Sequence, residues 1–333
     1  MTVSTTPDTS SHAANTVLAR TREELAATLA GDSAPRAVVM TMGALHEGHF
    51  DLVREAARRV GAGGTVVVTI FVNPLQFAPG EDLDAYPRTL EADLDGLAAV
   101  LTGADGALSV GRLVVFAPTP EVMYPDGEPQ VRIDPGPLAT VLEGRTRPTH
   151  FAGVCQVVLS LMHLTAPRWA MFGRKDAQQL AVVKAMVRDL AVPVEIVPVD
   201  IRREADGLAM SSRNAYLSDV ERERALALSR ALEAGRAAAR DGASPAAIRA
   251  AAQEVLEAEA GVEVDYVAVV DPDSFTDLAG AGLGLEPQNQ QESGRAGTGQ
   301  SENTPGQHAH GLLALAARVG TTRLIDNTLV ELG

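Results

Sequence analysis

The stretch VVMTMGALHEGHFDLVR, residues 38–54, decides the fold. Its first part belongs to RAVVMTM, 36–42, a largely apolar run that reads as a strand buried on both faces. The strand ends near Met42, and Gly43 permits a turn. From about His46 the apolar residues return at helical spacing. His46 and His49 lie one turn apart and share a face. Gly48 between them costs about 1 kcal/mol against Ala in a helix, a cost explained if a flat ring packs on the backbone there. The first-turn N–H groups of such a helix lack intrahelical partners, and its dipole favours an anion. Two imidazoles at that place suit phosphate oxygens.

The same alternation extends outward from this unit. TREELAATLA, 21–30, reads as a helix with Thr21 as cap and Glu24 three residues on. GTVVVTIFVN, 64–73, is a β-branched strand, LEADLDGLAAVL, 90–101, a helix, and GRLVVFAP, 111–118, a strand. VRIDPGPLATVLEG, 131–144, is expected to give a short strand and a turn. FAGVCQVVLSLMHL, 151–164, is apolar nearly all round and reads as a buried helix. RWAMFG, AQQLAVVKAMVRDL and VEIVPVDI then follow as strand, helix and strand. Buried strands alternating with helices imply a parallel sheet covered on both faces, an α/β doubly wound domain spanning 17–200. Residues 1–16 are Ser/Thr-rich and read as a disordered tail.

From residue 201 the texture changes to a small α+β domain, 201–333. It starts with an Arg/Glu/Ala-rich surface helix over 218–242. A second helix begins at Ser244-Pro245, where proline suits the first helical position. VDYVAVVDP and TTRLIDN read as strands. Residues 281–311 hold almost no large apolar side chain and read as a disordered insertion. His308 and His310 within it are too thinly supported for a metal site.

Composition narrows the function. The chain has 333 residues, 46% of them apolar, and a formal net charge of −15. An acidic balance argues against nucleic-acid wrapping and requires any anion site to be locally basic. One cysteine, Cys155, excludes an intrachain disulfide and a zinc site of clustered cysteines; it reads as a small buried hydrophobe. With no apolar signal-peptide core and no run long enough to span a membrane, a cytoplasmic protein is expected.

Further constellations sit where strands end. In FVNPLQF, 71–77, Asn73 is held extended by Pro74. Gln76 then emerges from a rigid turn with an amide that both donates and accepts. In FGRKDAQQL, 172–180, Lys175 and Gln179 share a helical face, Lys175 suits phosphate, and Asp176 adjoins it. AMSSRN, 209–214, offers two hydroxyls and the guanidinium of Arg213, which matches phosphate geometry. EGRTRPTHF, 143–151, and DAYPRTLEADL, 84–94, add further ionic groups. No Walker-type phosphate loop is present.

The His-x-Gly-His pattern is the signature of the nucleotidylyl-transferase superfamily. Together with IFVNPLQF, AYPRTLEADL, GRTRPTHFAGV, FGRKDAQQL and MSSRNAYLS, it resembles the pantothenate synthetase (pantoate–β-alanine ligase) family. The resemblance covers about Ala37 to Phe275 and the C-terminal strand region. It implies a Rossmann-like domain with a smaller C-terminal lid, usually as a homodimer. The implied activity is a carbon–nitrogen ligase that joins pantoate to β-alanine through a pantoyl-adenylate, using ATP and Mg²⁺ and releasing AMP and pyrophosphate. By motif it places ATP on Met42, His46, His49, Gly173, Lys175, Asp176, Met210, Ser211, Ser212 and Arg213. His46, His49, Lys175 and Arg213 are the implied catalytic groups. Pantoate falls to Gln76 and Gln179 with Asn73 close by, and His150 and Glu143 line the same cavity. The metal-side acidic pair falls on Ala92 and Asp93, leaving Asp93 as its one acid. The insertion at 281–311 is outside the family's pattern. Two other readings remain open: an adenylyltransferase with a phosphate acceptor, and a non-catalytic nucleotide-sensing module.

Overall fold

The β-branched runs do become a sheet. A computed structural model describes residues 15–78, 80–81, 83–103, 108–280 and 310–333. Strands β1 (Thr16–Ala19), β2 (Arg36–Thr41), β3 (Thr65–Ile70), β4 (Arg112–Phe116), β5 (Trp169–Gly173) and β6 (Glu195–Val199) form one parallel sheet. The helices among them are α1 (Arg22–Leu29), α2 (Glu47–Val60), α3 (Leu90–Leu101), the single turns α4 (Pro120–Met123) and α5 (Glu143–Thr146), α6 (His150–Thr165) and α7 (Ala177–Asp189). Val38, Val67 and Val114 pack with α1, α6 and α7 on one face. Val39, Val66 and Val68 pack with α2 and α3 on the other. Cys155 of α6 is wholly buried in the first of these layers.

Strand order is β1-β4-β3-β2-β5-β6. The chain winds outward from β2 to β3 and β4, then returns to β5 on the opposite side of β2. Ligands of open parallel sheets bind beyond the carboxyl ends of strands at such a reversal. The segments after β2, β3 and β5 are 42–46, 71–77 and 173–176, so topology gathers three of the sequence constellations at one place.

The C-terminal part consists of α8 (Asp219–Arg240), α9 (Pro245–Ala258) and an antiparallel sheet of β7 (Val262–Val270), β8 (His310–Val319) and β9 (Thr322–Glu331), in that order. Leu228, Leu232, Ile248 and Leu256 pack on Leu313 and Leu315. An apolar patch joins the two parts: Val141, Leu142 and Ala181 meet Ala268, Val270 and Leu312. Among the described residues, no helix is long and apolar enough to cross a membrane.

Local caps agree with the sequence. Thr21 Oγ1 accepts from Glu24 N–H at 3.1 Å while Glu24 accepts from Thr21 N–H. Ser244 caps α9 with Pro245 in its first turn. Three readings change. No strand forms at 131–134, because the Asp-Pro-Gly-Pro run removes two donors and Gly136 takes φ +69°. The tail expected over 1–16 stops short, since Thr16 opens β1; residues 1–14 lie outside the described residues. The insertion expected over 281–311 overlaps β8 at His310 and Gly311, which pair with Glu331 and Val330; 281–309, including His308, lie outside the described residues.

Candidate active site

The start of α2 is built by its two histidines. His46 is the N-cap residue, extended at φ −135° and ψ 175°. Its Nδ1 accepts from Gly48 N–H at 3.2 Å. His49 Nδ1 accepts in turn from His46 N–H at 3.3 Å. The pair is a capping box made of imidazoles, with ring centroids 4.1 Å apart. Backbone N–H groups only donate, so both Nδ1 atoms are unprotonated and each neutral ring carries its proton on Nε2. The helix start therefore does not present these two backbone donors directly, as the sequence suggests. It presents two ring N–H donors, each polarised by the backbone donor behind it. The rings are also held neutral. Burial pushes His49 down to about 3, reinforced by His46. Burial, and then Lys175, lowers His46.

Gly48 has the role expected of it. A Cβ there would lie 3.0 Å from His46 Cε1 and 3.1 Å from Nδ1.

The approach to this helix hangs on Asp93. Asp93 is 3% exposed. Its Oδ1 accepts from Leu45 N–H at 2.8 Å and its Oδ2 from Ala44 N–H at 3.1 Å. Thr89 Oγ1 adds a third hydrogen bond at 3.2 Å. Ala44 takes φ +50° after Gly43 at φ +88°, and the carboxylate holds this strained turn. Both oxygens of Asp93, the residue expected on the metal side, are engaged by backbone donors, and the carboxylate anchors the 43–46 turn. Among the described residues, no group of three or more His, Cys, Asp and Glu is arranged to hold a metal ion.

A cleft of about 250 Å³ opens over these rings. Met42, His46, His49, Gly173, Lys175 and Asp176 line it from the ends of β2 and β5. Met210, Ser211, Ser212 and Arg213 line it from the segment before α8. Gln76, Gln179 and His150 complete the lining. An adjoining cavity of about 490 Å³ shares Arg147, Lys175, Ser211 and Arg213 with it.

Asn73 and Glu143 do not line the cleft itself, though Glu143 and His150 together line a smaller cavity beside it, as expected. Asn73 is fully buried. Its Nδ2 donates to Gln76 Oε1 at 2.9 Å and Gly153 O at 3.1 Å. Its Oδ1 accepts from Leu75 N–H and from Tyr124 Oη–H at 2.9 Å. It holds the Gln76 amide from behind. Glu143 lines the adjoining cavity, where it accepts from Arg323 at 2.7 and 2.8 Å and from Tyr266 Oη–H at 2.9 Å. The two glutamines of α7 divide likewise. Gln178 is buried against the carbonyls of Leu138 and Val141, while its neighbour Gln179 faces the cleft.

His150 is the reverse of the α2 pair. Its Nδ1 lies 3.2 Å from Gln76 O, an acceptor, so Nδ1 carries the proton and Nε2 accepts. Burial, and then Arg147, pushes it down to about 4. Arg147 stands out in the sequence only as part of a charged run. It lines both cavities, forms an ion pair with Glu81 at 2.6 Å and donates to Gln76 O at 3.2 Å. Arg202, absent from the sequence reading, also lines the cleft and lies 3.4 Å from Asp51 of α2. A cation after a strand, facing an acidic helix start, is the signal that could have found it.

The lining combines cationic and hydrogen-bond-donating side chains with two glutamine amides. It fits a polyphosphate beside a small hydroxy acid. Residues 15–329 match the family model described as pantoate-beta-alanine ligase. A pantothenate synthetase of Nocardioides sp. is 49% identical over 323 residues, covering 95% of this chain and 86% of that protein. One from Streptomyces avermitilis is 46% identical, covering 96% and 98%. The crystal structure of pantothenate synthetase from Thermus thermophilus superposes with a TM-score of 0.77 at 40% identity, covering 94% of this chain and 98% of that one. The pantoate-beta-alanine ligase of Francisella tularensis, complexed with beta-gamma ATP and beta-alanine, gives 0.68 at 27% identity, covering 94% and 97%.

Proposed function

Because the chain belongs to the pantoate-beta-alanine ligase family, we propose that its cleft condenses pantoate with β-alanine, using ATP and releasing AMP and pyrophosphate. The observation that carries the reading is the imidazole capping box: two neutral rings whose Nε2–H groups are the free donors at a helix N-terminus. In the first step a pantoate carboxylate oxygen attacks the α-phosphorus in line and pyrophosphate leaves. Such transfer needs positioning and charge neutralisation more than covalent help. His46 and His49 donate to oxygens of the transferring group, and Lys175 and Arg213 neutralise the departing phosphates. Gln76, Gln179 and the accepting Nε2 of His150 complement a substrate that carries both hydroxyl and carboxylate. In the second step the uncharged amine of β-alanine attacks the acyl carbon, and AMP leaves with the carboxyl oxygen.

Magnesium enters in this reading as part of the substrate, on the phosphates of ATP. No step of the protein's own chemistry is assigned to it. The chain works in the cytoplasm as a homodimer in this reading, and sedimentation at micromolar concentration tests the dimer.

The deciding experiment follows AMP and pyrophosphate from ATP, with pantoate present and β-alanine added or withheld. Sustained AMP release requiring both acids, together with pantoate-dependent exchange of pyrophosphate into ATP without β-alanine, is the expected result. Turnover with a phosphate acceptor, or nucleotide binding without turnover, overturns the reading.

A further inference from the structure

Strand β9 reads TRLIDNTLVE, and its two central polar residues are buried: Asp326 is 2% and Asn327 6% exposed. Successive side chains of a strand point to opposite faces, so both faces of β9 are closed at this point. Buried polar groups require partners, and these partners lie outside the three-stranded sheet. Asp326 accepts two hydrogen bonds from Arg203, at 2.7 and 3.0 Å. Arg203 is itself bridged to Ala209, the residue leading into Met210–Arg213. Asn327 Nδ2 donates to Arg174 O at 3.0 Å and to Lys175 O at 2.8 Å. Only the amide nitrogen donates to a carbonyl, so these contacts fix the orientation of the amide. Asn327 N–H also donates to Asp326 Oδ1 at 2.8 Å, which locks the pair together.

Asn327 thus holds the main chain of 174–175, while Asp326 holds the side chain of Arg203, whose backbone is bridged to the residue before Met210–Arg213. We propose that Asn327, backed by Asp326, is a positioning residue for adenylate formation: it sets the main chain from which Lys175 projects and keeps it in register with the Met210–Arg213 segment. The inference deepens the proposed ligase function and rests on it. Neither residue lines the cleft over the α2 rings, although Asp326 lines the adjoining cavity and both line a small cavity beside Lys175 and Gln179; the role given to them here is exerted through the segments they bond. The first half-reaction, which depends on phosphate placement, is the one they control. The attack of β-alanine on an adenylate already formed places no demand on the departing phosphates and is left intact.

The test uses the full chain with Asn327→Asp, which keeps the size and removes both amide donors, and Asn327→Ala. Val330→Ala, a truncation of a residue 3% exposed on the same strand, controls for loosening of the sheet. Pantoate-dependent pyrophosphate exchange is measured beside the reaction of β-alanine with prepared pantoyl-adenylate. Both Asn327 variants are expected to lose about tenfold to a hundredfold in exchange, the scale of a slightly misplaced group. Their second half-reaction should stay within about twofold, as a transition-state-specific loss requires. Val330→Ala is expected to lower Tm and spare exchange. Folded Asn327 variants that exchange like the unaltered chain overturn the proposal, as does an equal loss in both half-reactions. Absence of exchange in the unaltered chain overturns the ligase reading and this role with it, and is distinct because no variant is needed to see it.

Discussion

At Gly48, helix propensity and ring packing oppose each other. Alanine is worth about 1 kcal/mol more than glycine in a helix interior. Its Cβ, however, would press on the His46 ring at 3.0 Å. Gly48→Ala is therefore expected to keep or raise Tm while lowering pyrophosphate exchange by about tenfold or more, since a small shift of a catalytic donor suffices. Melting and exchange measured on one preparation check it. The buried rings also set an acid limit. His49 is pushed to about 3 and His150 to about 4, both chiefly by burial. Histidine in the unfolded chain titrates near 6.5, so below that pH the unfolded state binds more protons. Stability from these rings is complete above about 6.5 and is lost as pH falls toward 4. The Tm of the chain should fall over that window, and His150→Asn should flatten part of the slope. The histidines and Lys175 stand out in the sequence because their chemistry is specific. Asn73 and Asp93 stand out too, but the sequence does not show which groups their side chains bond. Both look like ligand groups in a motif, and only the three-dimensional paths of Ala44, Leu45, Gly153 and Tyr124 reveal that they face inward.

The turn at 73–77 and helix α6 behave as one unit. Gly153 lies so close to Leu75 O and Gln76 N that no side chain fits between them. Asn73 Nδ2 bonds the Gly153 carbonyl across the same contact. Gly153→Ala is expected to force the turn away from α6, displace Gln76 and raise KM for pantoate by about tenfold, with a smaller change in KM for ATP. Equal changes in both would show that the turn does not govern the acid site. The elements easiest to read are those with one dominant signal, such as the β-branched run 65–70 or the capped start of α1. Strand β8 escapes a sequence reading because GLLALAARV is rich in Leu and Ala, which favour helix. Its place between β7 and β9 overrides that preference. Strand β1 escapes because four residues at a sheet edge carry too little pattern.

Across the whole molecule, the seat of the small sheet on the large one is ionic as well as apolar. Arg323 of β9 lies between Glu143 of α5 and Asp265 of β7, at 2.7 and 2.6 Å, with Arg323 17% and Glu143 13% exposed at the side chain. Removing one partner of a buried pair leaves an uncompensated charge. Arg323→Ala is thus expected to cost about 3 kcal/mol, read as a fall in the urea midpoint, and Glu143→Gln in the same chain should recover part of it. No local pattern announces this bridge, because its members are 58 to 180 residues apart. The domain order is readable from texture; the contacts that join the domains are not. Cys155, the sole thiol of the chain, is wholly enclosed between α6 and the sheet, and burial pushes it up to about 12. A sulfhydryl reagent can reach it only when that layer parts, so the half-life of its alkylation under native conditions is a built-in clock for spontaneous opening. The same silence makes the chain a blank background on which a single surface cysteine can carry a fluorescent or spin label.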